Sequence, residues 1–176
     1  MKTLSLIFCV LLVSACASKE FKDEFDNEKT WVELQAQLPE YPSQDKLIPF
    51  DTGPTSNDQH FIDATSIQVG EDGVIRYTLV IKSSSGAMNV TFEGMRCTTN
   101  ERKLYALGRN DGDWAHSHNA DWQRLENVRQ LDAQRELAKY YFCPLKVIVR
   151  TREEAINALK AGIHPRVRLL YSSCWH

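Results

Sequence analysis

"FIDATSIQVGEDGVIRYTLVIKSSSGAMNVTFEGMRC", Phe61 to Cys97, sets the fold class. Its middle run, VIRYTLVIK at 74–82, is rich in β-branched and aromatic residues, which suit a packed, pleated surface. Glu71-Asp72-Gly73 on one side and Ser83 to Gly86 on the other carry turn chemistry. Upstream, His60 to Gly70 predicts two short strands bent around Asp63-Ala64-Thr65. Downstream, AMNVTFEGMRC (87–97) and RKLYALG (102–108) read as further strands separated by "TTNE", and Asp111-Gly112 offers another hairpin turn. Strands separated by so few residues pair locally, so the expectation is an antiparallel meander.

Toward the N-terminus, "PEYPSQDK" (39–46) and "DTGPTSND" (51–58) are punctuation around the short apolar piece "LIPF". "WVELQAQLP" (31–39) alternates, with Val32, Leu34, Ala36 and Leu38 opposite Glu33, Gln35 and Gln37, and predicts a half-buried strand. Toward the C-terminus the period changes. Val128, Leu131, Ala138, Tyr141 and Phe142 share one helical face, Asn127 and Gln130 are spaced as a cap and its reciprocal partner, and Pro144 stops the helix. Thr151 to Glu154 is a capping box opening a second helix, with Gly162 as its C-cap. Strands first and helices afterwards predict an α+β fold: an antiparallel β-meander sheet with one or two C-terminal helices packed on one face. The domain spans 30–165, and 166–176 reads as a basic tail.

The first residues speak about address. Lys2 precedes an apolar run, Leu4 to Val13, which is too short for the roughly 20 residues a membrane-spanning helix needs. Its length and flanks are those of a signal peptide. Val13-Ser14-Ala15-Cys16 resembles a bacterial lipobox, so residues 1–15 read as a lipoprotein signal peptide and Cys16 as the lipidated first mature residue. Ordinary cleavage after Ala15-Cys16-Ala17, leaving Ser18 first, is the alternative. Ala17 stands where lipoproteins kept in the inner membrane typically carry Asp, so the expected destination is the outer membrane, facing the periplasm or the cell surface. Residues 16–29 follow as a charge-dense, solvated tether.

The mature chain has one-domain length and enough residues to bury a core without metals. Overall net charge is only −2 at pH 7, but it is uneven. From Pro144 onward, Lys146, Arg150, Arg152, Lys160, Arg166 and Arg168 outweigh Glu153 and Glu154, so this C-terminal stretch could touch anionic lipid headgroups or glycan phosphates. Nucleic acid is not an expected partner in the envelope.

Cys97, Cys143 and Cys174 remain once Cys9 leaves with the signal and Cys16 is lipidated. An exported chain permits a disulfide, and three thiols allow three pairings that spacing does not rank. Cys97 ends an expected strand and Cys143 an expected helix, whereas Cys174 lies at the chain end, which favours Cys97–Cys143. A loop of that size contributes about 4 kcal/mol by the loop-closure argument.

Chemistry is harder to find. There is no G-x-S-x-G elbow, phosphate-cradling Gly loop or C-x-x-C, so no catalytic or cofactor-binding residue is assigned and the chain is not expected to be an enzyme. The sharpest candidate is "DGDWAHSHNAD" (111–121). His116 and His118, two apart in an extended segment, could share a metal with Asp111, Asp113 or Asp121, against the plainer reading of a solvated loop. His60, His164 and His176 show no partner by spacing, and Trp31, Trp114, Trp122 and Trp175 could stack on sugar rings or seal core edges.

From Trp31 to about Gly162 the chain resembles the CNP1-like family of proteobacterial envelope lipoproteins. The residues carrying the likeness are the 61–97 stretch, "ERKLYALGR" (101–109), "YYFCP" (140–144), Trp31, "LPEYP" and "LIPFD". The resemblance places Cys97 and Cys143 in family motifs, which supports their pairing, and it implies no activity. The order of strands is also similar to protein-E-type surface adhesin lipoproteins. The functional expectation is a lipid-anchored, non-enzymatic interaction or structural module with an envelope protein or glycan partner. A periplasmic metal- or ligand-binding protein using the Asp111–Asp121 loop is the alternative.

Overall fold

A computed structural model describes residues 30–53, 57–127 and 132–173. Contacts divide the chain into Met1–Trp31 and Val32–His176. Apart from Thr30 and Trp31 the first unit lies outside the described residues, and with it Cys16 and the tether. The account below concerns the second.

The strands are β1 (Leu47–Phe50), β2 (Gln59–Asp63), β3 (Gln68–Val69), β4 (Val74–Lys82), β5 (Met88–Arg96), β6 (Glu101–Gly108), β7 (Trp114–His116) and β8 (Gln123–Arg124). They form one sheet ordered β1-β2-β4-β5-β6-β7, with β3 on β4 and β8 on β6. Every pairing is antiparallel. The expected turns close it: Gly73, Gly86 and Gly112 all take the left-handed φ that a β-carbon disfavours. Asp63 holds the bend before β3, accepting from the Thr65 N–H at 2.9 Å. The α+β meander is thus as expected.

Ile75, Tyr77 and Leu79 of β4 face the helices with Met95 of β5, and the core closes over them with Leu137, Tyr141, Phe142, Ala155 and Leu159. The helical layer starts at α1 (Asp132–Glu136) and widens into a π-helical turn, Leu137–Phe142. Its buried residues come in pairs every fourth position: Ala133-Gln134, Leu137-Ala138, Tyr141-Phe142. A 3.6-residue turn would rotate the last pair off the sheet; the wider turn keeps it there, with Phe142 5.2 Å from the Tyr77 ring. Pro144 ends the helix as expected. Thr151 caps α2 (Arg152–Lys160), accepting from the Glu154 N–H, and Gly162 follows it at positive φ. The Glu154 carboxylate reaches back to the Arg150 N–H at 2.6 Å, one residue earlier than a standard capping box. Asn127, expected as a cap, ends a 3-10 turn from Leu125, and residues 128–131, with Gln130 and the start of the expected helix, lie outside the described residues. The segment read as a basic tail carries α3 (Pro165–Ser173).

One expected strand is absent. Residues 32–42 form an irregular ribbon across the second face of the sheet, with Glu33, Ala36, Pro39, Tyr41 and Pro42 half-buried, and of these Glu33, Ala36, Pro39 and Pro42 recur every third residue. That is the three-residue period of an extended polyproline-type chain, not the two of a strand. Val32 and Leu34, expected inside, are 74% and 49% exposed. The ribbon's backbone bonds to side chains instead of a neighbouring strand. Leu34 donates to Asp72 at 2.9 Å, Arg76 donates to the Leu34 carbonyl at 2.8 Å, and the Trp114 indole donates to the Pro39 carbonyl at 2.9 Å. With both faces covered, β4 is buried at every position from Val74 to Val80.

Candidate functional site

Three places concentrate polar or concave chemistry. The first is inside the sheet. Glu93, fully buried, accepts from Arg102 at 2.9 Å, Thr91 at 2.9 Å, Gln134 at 3.0 Å and the Tyr77 hydroxyl at 3.2 Å. Each carboxylate oxygen is satisfied from three strands and α1, which is what keeps a charge tolerable there. Burial and the neighbouring carboxylate push the Tyr77 phenol well above its usual value. The cluster binds the layers to one another. The signal was present in sequence: Glu93 lies on the same strand face as Met95.

The second lies on the ribbon face. Glu33 accepts from Tyr105 at 2.7 Å, Lys103 at 2.8 Å and the Trp122 indole at 3.2 Å. Burial pushes the Glu33 carboxyl up, but those three bonds and the Lys103 charge hold it below its usual value. Burial and the bond to Glu33 push the Tyr105 phenol well up. Gly94 lets Tyr105 lie flat on β5, since a β-carbon there would sit 2.6 Å from the hydroxyl. A groove of about 350 Å³ remains between the ribbon and β6–β7, and in it Glu33, Lys103 and Tyr105 are paired to one another.

The third is a cavity of about 590 Å³ beside the disulfide, within the ~300–1,000 Å³ range of small-molecule sites. Cys97 and Cys143 are joined, with Cα atoms 5.2 Å apart, so the pairing favoured from sequence is the one formed. Together with Ala138 and Val167 they make the buried base. Leu145, 58% exposed, and Leu170, 47% exposed, stand at the mouth. Arg135, Lys139 and Lys146 also line it, and among the described residues no carboxylate does. Arg135 is shared with Asp132 and with the Leu125 carbonyl. Leu145 and Lys146 both hold positive φ, 59° and 62°, an uncommon state for residues with a β-carbon and one that concentrates where a ligand is clamped. Sequence reasoning missed this place, although the apolar Leu169-Leu170 inside a segment read as basic was a signal for it.

The other expectations separate. His116 sits exposed on β7 and His118 is exposed beyond it, and among the described residues no group of three or more His, Cys, Asp or Glu could hold a metal. The metal arrangement considered for Asp111–Asp121 therefore has no ligand set there. His60 is buried against Thr52, 3.3 Å away, and burial pushes its pKa down. His164, without a partner by spacing, is buried beside Glu154 at 3.0 Å, which also pairs with Arg166 at 2.8 Å. Trp114 and Trp122 are half-buried seals between the sheet and the ribbon. Cys174, Trp175 and His176 lie outside the described residues.

The fold and these sites define a small disulfide-stapled α+β domain with an apolar, cation-lined cavity on its helical side. The CNP1-like family model matches residues 26–160, and the chain belongs to that family. No curated protein and no solved structure matches it.

Proposed function

We propose that this is a non-enzymatic envelope lipoprotein, anchored through lipid on Cys16 and working as an interaction module at the periplasmic face of the outer membrane. The observation that carries the reading is the lipobox-like Val13 to Cys16 after a short apolar run, followed by the charged tether. The Cys97–Cys143 disulfide supports it, because such bonds persist in oxidising compartments. Its polar clusters are engaged in holding the ribbon and layers together, which favours binding over turnover. The partner is an envelope protein, a glycan or a lipid, and nucleic acid has no part in the reading. Fractionation tests it: the native chain pellets with membranes, and Cys16→Ser moves it to the soluble fraction. A Cys16→Ser chain that still pellets would contradict the anchor.

A further inference from the structure

We propose that the cavity beside the disulfide binds one anionic single-chain amphiphile, its acyl chain against Ala138, Val167 and Leu170 and its head group at Lys139 and Lys146. This deepens the interaction-module reading by naming a ligand class. It does not itself require the Cys16 anchor.

The cavity is concave, about 590 Å³, and walled by a disulfide and aliphatic side chains. Such a surface is poorly hydrated and favours apolar chains over polar ligands. A glycan would need convergent donors and acceptors, and of the uncharged lining residues Asn100 alone supplies an amide, already donating to Glu126 at 2.9 Å. Charge selects the ligand's head. Among the described lining residues Arg135, Lys139 and Lys146 are cations and none is a carboxylate. Asp132 already pairs with Arg135 and Glu136 acts on Lys139 from outside the lining, so a carboxylate or phosphate at the mouth is attracted chiefly to Lys146, with Lys139 beside it. Leu145 and Lys146 are held at the mouth in left-handed backbone, one presenting an exposed aliphatic chain and the other a cation. An aliphatic base with a cationic mouth matches a molecule that is apolar at one end and anionic at the other.

The test uses the whole mature chain with Cys16→Ser, so that no acyl group of its own competes. The probe is the fluorescent fatty acid cis-parinarate, with palmitate, its methyl ester and inorganic phosphate as competitors. The expected result is saturable binding of one parinarate per chain, displaced by palmitate, less well by the uncharged ester, and not by phosphate. Leu170→Glu, at the exposed mouth, is expected to abolish binding. Lys146→Glu weakens it roughly tenfold, the scale of losing one favourable charge contact and gaining a repulsive one. Lys160→Glu, on α2 and outside the lining, leaves it unchanged. Circular dichroism and thermal melting confirm that each variant is folded. No saturable binding by folded wild type overturns the proposal, as does wild-type affinity in both Leu170→Glu and Lys146→Glu. Displacement by phosphate alone would make this a bare anion site and also overturn it. Failure here leaves the membrane fractionation result untouched, so the two readings fail separately.

Discussion

At the scale of single residues, Glu93 and Glu154 show two ways of surrounding a carboxylate with donors in this domain. Glu93 is enclosed by donors from β4, β5, β6 and α1. Removing the cationic one, Arg102→Met, leaves a buried anion short of its counter-charge. The expected cost is about 3–5 kcal/mol, read from denaturant unfolding. Glu154 is more accessible. Burial pushes its carboxyl up, but the Arg150 N–H, His164 and the Arg166 charge outweigh that and hold it below its usual 4.5. A depressed folded-state pKa contributes stability that is fully present above the unfolded value and lost as pH falls through the folded one. Glu33 and Asp72 are shifted the same way. Thermal stability should therefore drop on acidification below about pH 4.5. Glu154→Gln should flatten part of that slope, and an unchanged slope would contradict the assignment.

At the scale of elements, legibility followed how local the causes were. The strands and turns of 59–116 were readable because β-branched runs and Gly or Asp turns act within a few residues. The caps of α2 were readable for the same reason. The ribbon was not, because it is held by distant contacts, such as those of Glu33 with Lys103, Tyr105 and Trp122, about 70 to 90 residues away in sequence. Leu34 and Leu38 looked like an inward face, yet Glu33 is what the sheet's cations require. The Glu93 cluster and the cavity were hidden likewise, since each joins strands to helices that sequence spacing does not relate. Two substitutions probe these elements. Gly94→Ala forces a β-carbon into Tyr105 and should cost roughly 1–3 kcal/mol, while raising proteolytic sensitivity of the 32–42 ribbon. Leu145→Gly removes a β-carbon from a left-handed position, and stability should hold or rise by up to about 1 kcal/mol. Parinarate affinity should fall in the same variant, so stability and binding move apart.

At the scale of the whole molecule, two covalent features organise the account: the Cys97–Cys143 bond and the anchor proposed at Cys16. The bond closes a separation of 46 residues between the end of β5 and the end of the π-helical turn. Replacing both cysteines by Ala should cost about 4 kcal/mol, measured as a shift in the urea midpoint. The anchor would set the domain against a membrane, with the tether between them. The most direct measurement is the intact mass of the chain extracted from native membranes, alkylated with and without prior reduction. The account predicts a chain beginning at Cys16 that carries acyl groups, with Cys97 and Cys143 labelled only after reduction. A lipid-free chain beginning at Ser18, or label on Cys97 and Cys143 without reduction, would contradict it.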